Sequence, residues 1–151
     1  MTMWRPVALV LMLAGAGAGA AALGGCGDAD EPAARQTATT PSGAIELTIV
    51  FDDGAGGKTS GALTCRGSEQ RAEGALAGRA PAAALCAQAR GIAELLTTKP
   101  DGRRTCTQIY GGPETAHVTG TIDGRKVDRR FTRTNGCEIA DFTRAAGLLQ
   151  P

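Results

Sequence analysis

This chain of 151 residues contains one histidine, His117. The scarcity matters because imidazole is the commonest general base and metal ligand near neutral pH. No CxxC pair accompanies it, so the usual zinc spacings are missing. GxSxG, HExxH and P-loop signatures are missing too. His117 lies on the polar side of an alternating run with no motif around it, and reads as solvent-facing. Asp52 and Asp53 are neighbours in a turn, not a converging carboxylate pair. The run Gly54–Gly57 lacks the helix start that a phosphate site needs. These absences argue against an enzyme, and no metal or cofactor is expected.

An excess of one charge is also lacking, with 16 Lys and Arg against 15 Asp and Glu. Arg125, Lys126, Arg129, Arg130 and Arg133 cluster locally and read as a solvated strand face. Without a global excess, nucleic acid is not an expected partner. Nor is there an apolar run long enough to span a bilayer as a good helix. The nearest, Val7–Leu13 continuing into Ala and Gly as far as Ala22, is short and follows Arg5. That pattern is an export signal. Leu23-Gly24-Gly25-Cys26 then looks like a bacterial lipobox, which would make residues 1–25 a lipoprotein signal peptide and Cys26 the lipidated N-terminus. A plain secretory signal cut near Ala22 is the alternative. Residues 27–43 carry no large apolar side chain and cannot order themselves by burial. With Cys26 they form a tether, 26–43, whose coil would span roughly 20 to 25 Å. The expected location is the outer face of the cytoplasmic membrane.

Five cysteines are present. With Cys26 lipidated, Cys65, Cys86, Cys106 and Cys137 remain. An even number in an exported chain implies two disulfides, and spacing leaves all three connectivities open.

The domain occupies residues 44–150. Ile45, Leu47, Ile49 and Phe51 alternate with polar residues, which predicts a strand over Ala44–Phe51. After a turn at 52–57, Lys58–Cys65 forms its hairpin partner. Residues 66–80 are polar and Gly-rich and read as loop. Leu85, Ala89, Ile92 and Leu96 recur at helical spacing, so a helix runs from Pro81 to Thr97 and places Cys86 near the sheet. Alternation returns over Thr115–Ile122. Asp123-Gly124 is a strong hairpin signal, and Arg125–Arg133 is the returning strand, with Val127 and Phe131 buried. Asn135-Gly136 reads as a turn. The tail from Ile139 to Leu149 is short and mixed, with Phe142 packing on the domain. The remaining stretch, Arg103–Pro113, is polar and turn-flanked and reads as an exposed loop. A disulfide at Cys106 would hold it rigid, which favours binding because its ordering entropy is already spent.

Several segments resemble Streptomyces subtilisin inhibitor proteins: Ala62–Cys65, Pro81–Cys86, Cys106–Tyr110, Val118–Val127 and Asn135–Glu138. The resemblance covers roughly 44–142. It implies an α+β fold, a five-stranded antiparallel sheet with helices on one face, and the pairs Cys65–Cys86 and Cys106–Cys137. It also implies inhibition of serine proteases of subtilisin type by a substrate-like loop, and suggests a homodimer. Carried over, the scissile bond is Gln108–Ile109, with Cys106, Thr107, Tyr110 and Gly111 in contact with the protease. Gln108 would be the P1 residue, whose side chain fills the specificity pocket; an alternative register puts Arg104 there. The family usually has Pro where Thr107 stands and often Met or Lys where Gln108 stands. Gly111-Gly112 is one residue longer than the family pattern, and is expected to loosen the loop. The other function this sequence allows is a non-inhibitory envelope lipoprotein that uses the same fold for binding or structure.

Overall fold

A central strand, β1 (Ile45–Asp52), organises the domain in a computed structural model that describes residues 43–150. The expected signal peptide, Cys26 and the expected tether up to residue 42 lie outside the described residues. Ile45, Leu47, Ile49 and Phe51 are buried while Glu46, Thr48 and Val50 are exposed, as alternation requires. β1 pairs antiparallel with β2 (Lys58–Arg66) on one side and β4 (Thr115–Ile122) on the other. β3 (Glu69–Gly74) adds beyond β2, and β5 (Arg125–Phe131) adds beyond β4. The result is a five-stranded antiparallel sheet in the order β3-β2-β1-β4-β5. The β4–β5 turn has Asp123 at φ 51° and Gly124 at φ 75°. Both central residues are thus in the left-handed region, the geometry that a two-residue hairpin prefers.

β3 corrects the expectation of loop at 66–80. Its residues are nearly all exposed, with only Ala72 half-buried. An edge strand held by its ladder to β2 needs no buried side chains, and charges such as Arg71 and Glu73 guard such an edge against further pairing.

The expected single helix is two: α1 (Ala82–Gly91) and α2 (Ala93–Thr97). Pro81 caps α1 rather than opening it, with ψ 136°. The break falls at Ile92, with φ −113° and ψ 16°. Gly91 stands just before it, where helix propensity is lowest apart from proline. α1 packs on β2 and β3, whereas α2 packs on β5 and β4. A straight helix cannot follow both ends of a twisted sheet. Leu85, Cys86, Ala89 and Leu96 are buried beneath the pair.

Asn135-Gly136 is not a turn between loops but the start of α3 (Gly136–Leu149). Asn135 is its N-cap, and its side-chain oxygen accepts from the Cys137 and Glu138 amides, each at 3.1 Å. The same residue types favour turns and N-caps, because both use a side-chain oxygen to satisfy a free backbone N–H. Phe142, Ala145, Leu148 and Leu149 carry α3 into the core. The helices cover one face of the sheet.

Both disulfides are formed. Cys65–Cys86 ties β2 to α1 across a Cα separation of 6.0 Å, and Cys106–Cys137 ties the long loop to α3 across 5.4 Å. Two such bonds are consistent with an extracellular protein.

Candidate functional site

The segment from Thr98 to Glu114 belongs to no strand or helix. It links α2 to β4 and arrives at the end of the sheet where Asp52, Thr115 and Phe131 lie. β5 leaves the sheet at this same end, and its continuation, Thr132–Asn135, leads into α3. The loop is therefore laid against the β5–α3 connection, and it is anchored there repeatedly.

On its N-terminal limb, Cys106 is bonded to Cys137 in the first turn of α3. The Gly136 amide then donates to the Thr107 carbonyl at 3.0 Å. On the C-terminal limb, the Gly111 amide donates to the Arg133 carbonyl at 2.7 Å. Arg133 also pairs with Glu114 at 3.0 Å and lies 5.7 Å over the Phe142 ring. Both limbs end on one short segment, residues 133–137. Between them stand Gln108, Ile109 and Tyr110, all exposed. Ile109 is 54% and Tyr110 69% exposed, which makes this tip the most solvent-facing large apolar surface among the described residues. An exposed apolar pair on a fixed backbone is a signature of a binding surface.

Close approach explains two glycines. A Cβ at Gly136 would strike the Thr107 hydroxyl, so a larger residue there would require Thr107 to rotate. A Cβ at Gly111 would lie 2.8 Å from Ile139 and 3.3 Å from the Arg133 Cβ. Gly111 is thus closely surrounded, and its amide is bonded to the Arg133 carbonyl. Looseness in glycine comes from unoccupied conformations, and a bonded amide with close neighbours removes them.

The Gln108 side chain folds back, its Nε2 donating to the Cys106 carbonyl at 3.3 Å. It sits at the rim of a cleft of about 370 Å³ behind the loop, whose floor includes Arg129, Phe131 and Asp141. This bond is exposed, so releasing Gln108 to a partner costs little.

The basic cluster divides in two, which corrects its description as a solvated face. Arg125, Lys126 and Arg130 are exposed, but Arg129 is 8% exposed and faces the helices with Val127 and Phe131. Strand alternation puts residue 129 on the core side, and Asp141 of α3 supplies the counter-charge at 2.9 Å. Burial pulls the Arg129 guanidinium below its ordinary pKa, and Asp141 pushes the other way. Arg104 reaches the same Asp141 oxygen at 3.0 Å, and its pKa is raised by that hydrogen bond. Sequence reasoning missed Asp141, Arg133 and Glu114. No local pattern marks them, since each partner lies far along the chain.

His117 is on the face away from the helices, as expected, but half-buried rather than free. Its Nε2 lies 2.8 Å from Asp128 Oδ1 on the neighbouring strand. That hydrogen bond holds the Asp128 carboxyl below its ordinary range.

Glu138 steadies the platform. Its Oε2 accepts from the Thr132 hydroxyl at 2.6 Å, from the Thr134 hydroxyl, and from the Thr134 amide at 3.3 Å. The Thr132 and Thr134 hydroxyls hold its pKa below the ordinary 4.5. A depressed carboxylate stabilises the fold above its unfolded pKa, and that contribution is lost as pH falls through the folded one. Thermal melts of the wild type and Glu138→Gln should therefore differ at pH 7 and converge as the pH falls below the ordinary 4.5 of the unfolded carboxyl. A difference that persists undiminished at the acid end would show that charge on Glu138 is not what matters.

No family model matches the chain, and neither does any curated protein.

Proposed function

We propose that this protein inhibits serine proteases of subtilisin type, presenting the 106–111 loop as a substrate that is held too firmly to be released. The observation that carries this reading is the clamp. Gln108, Ile109 and Tyr110 project to solvent, while Thr107 and Gly111 on either side are bonded to one segment and Cys106 is covalently fixed to it. The target class and the Gln108–Ile109 register come from the resemblance to Streptomyces subtilisin inhibitors.

The chemistry follows from that geometry. A bound protease pairs its own backbone with the loop as with an added strand. The Gln108 carbonyl enters the oxyanion hole, and the Gln108 side chain enters the specificity pocket. If the Gln108–Ile109 bond is cut, the new carboxyl and amine cannot diffuse apart. The Gln108 side stays tied through Cys106 and Thr107, and the Ile109 side through Gly111. Cleavage is then readily reversed, because the ends retain a high effective concentration. The protein thus acts by binding rather than by catalysing a reaction itself.

Active-site titration of subtilisin with the purified protein tests the reading. Loss of activity reaching completion near one equivalent is expected. Full protease activity in excess protein would leave instead a non-inhibitory envelope protein. We further propose, from Leu23-Gly24-Gly25-Cys26, that an acyl anchor on Cys26 holds the inhibitor at the outer face of the cytoplasmic membrane. Two acyl chains suffice for stable anchoring where one does not. Intact-mass analysis of the membrane fraction checks this, and an unlipidated mature chain beginning near Ala22 would exclude it.

A further inference from the structure

We infer that Arg104 is the positioning residue of the loop, bracing its N-terminal limb against α3 through Asp141. The consequence for inhibition rests on the function proposed above; the positioning itself does not.

The argument begins with what a disulfide leaves free. Cys106–Cys137 is a single covalent link with several rotatable bonds, and a chain held at one point can pivot about it. Two further restraints flank it. The Thr107 carbonyl is bonded to the Gly136 amide one residue later. Arg104 is bonded to Asp141 two residues earlier, at 3.0 Å. Three restraints over four residues limit how far the limb can turn about the disulfide.

Asp141 is a firm place to attach. It is 6% exposed and lies one turn of α3 beyond Cys137. Its Oδ2 also accepts from Arg129 Nη2 at 2.9 Å. Arg129 belongs to β5, is itself 8% exposed, and lies 5.0 Å over the Phe131 ring. Arg104 is thus fastened, through one carboxylate, to helix and sheet together. Its neighbour Arg103 carries the same charge with none of this. Its side chain is 96% exposed, and its ion-pair partner is Asp101 in the same turn, at 3.6 Å. Two adjacent arginines therefore have separate duties. The same pairing weighs against Arg104 as the residue that enters a protease pocket.

Arg104 is also the right residue to test. Removing it leaves Asp141 paired with Arg129, so no buried charge is stranded and the fold should persist. Asp141→Asn, in contrast, would strand the buried Arg129 and confuse positioning with folding.

The experiment compares Arg104→Ala, Arg104→Lys and Arg103→Ala with the wild type. It reads hydrolysis of the Gln108–Ile109 bond by subtilisin, hydrogen exchange of the Gly136 amide, and melting temperature. For Arg104→Ala, cleavage about tenfold faster is expected, as small misplacements at a reacting bond have large effects. Exchange at Gly136 should rise by about tenfold as local opening becomes easier. The melting temperature should fall by no more than about 4 °C. Arg104→Lys should restore part of both effects, and Arg103→Ala should match the wild type. Equal behaviour of Arg104→Ala and Arg103→Ala in cleavage and exchange would overturn the inference. If the wild type inhibits nothing, the proposed function fails, and Gly136 exchange alone decides: faster in Arg104→Ala upholds the positioning role, unchanged refutes it.

Discussion

Gln108→Lys should turn this protein into an inhibitor of trypsin. A trypsin-type pocket ends in a buried carboxylate that requires a cation. Glutamine is neutral and would leave that charge unpaired, at about 3 to 5 kcal/mol. The change to lysine should therefore improve trypsin inhibition by roughly 150- to 4,000-fold. Gln108→Met should act on subtilisin instead. Its broad apolar pocket accepts glutamine, but methionine buries more apolar area, worth about 1 to 2 kcal/mol. The expected tightening is roughly five- to thirtyfold. Neither change should disturb the fold, since Gln108 is exposed and its bond to the Cys106 carbonyl is long at 3.3 Å. Inhibition constants of the wild type and both variants against both enzymes test the assignment. If neither variant alters inhibition of either protease, Gln108 does not occupy the pocket. Trypsin inhibition by the wild type would point to Arg104, against the ion pair that holds it to Asp141.

The second large effect concerns the disulfides, which should separate fold from function. Each closes a loop worth about 3 to 4 kcal/mol on the chain-entropy account. That is a large share of the stability of a domain this size. Their surroundings differ. Cys65 and Cys86 are fully buried between sheet and helix, whereas Cys106 and Cys137 are half-buried at the surface. Replacing Cys65 and Cys86 by alanine also leaves a void in the core, and should cost more than the loop term alone. Replacing Cys106 and Cys137 by serine should lower the melting temperature by roughly 10 to 20 °C. The protein should still fold, because no core contact is lost. It should then be cut at Gln108–Ile109 as an ordinary substrate, with the Gln108 end no longer covalently held. Mass spectrometry of protein incubated with subtilisin distinguishes the cases. A Cys106→Ser/Cys137→Ser variant that remains intact and fully inhibitory would show that the disulfide is not the source of rigidity.

Much of the architecture can be read from the sequence because its causes are local. Alternation of Ile45, Leu47, Ile49 and Phe51 needs only the two-residue period of a strand. Asp123-Gly124 specifies its hairpin by its own backbone preference, and the apolar spacing from Leu85 to Leu96 requires one helical face. Four cysteines in a chain expected to be exported imply two disulfides. The remainder rests on groups that meet only when the chain is folded. β3 escaped notice because an edge strand of exposed residues is stabilised by its ladder to β2, and its side chains carry no alternation to see. The start of α3 escaped because Asn135-Gly136 has one chemistry for two outcomes. A turn and a helix cap both begin with a side-chain oxygen facing free amides, and only the packing of Phe142, Ala145, Leu148 and Leu149 decides between them. Cysteine spacing left the pairing open, and the fold closed it by bringing Cys106 to the first turn of α3. The clamp on the loop was invisible for the same reason. Arg104 lies 37 residues from Asp141 and Arg129 lies 12 from it, and a shared buried carboxylate exists only where sheet, helix and loop converge.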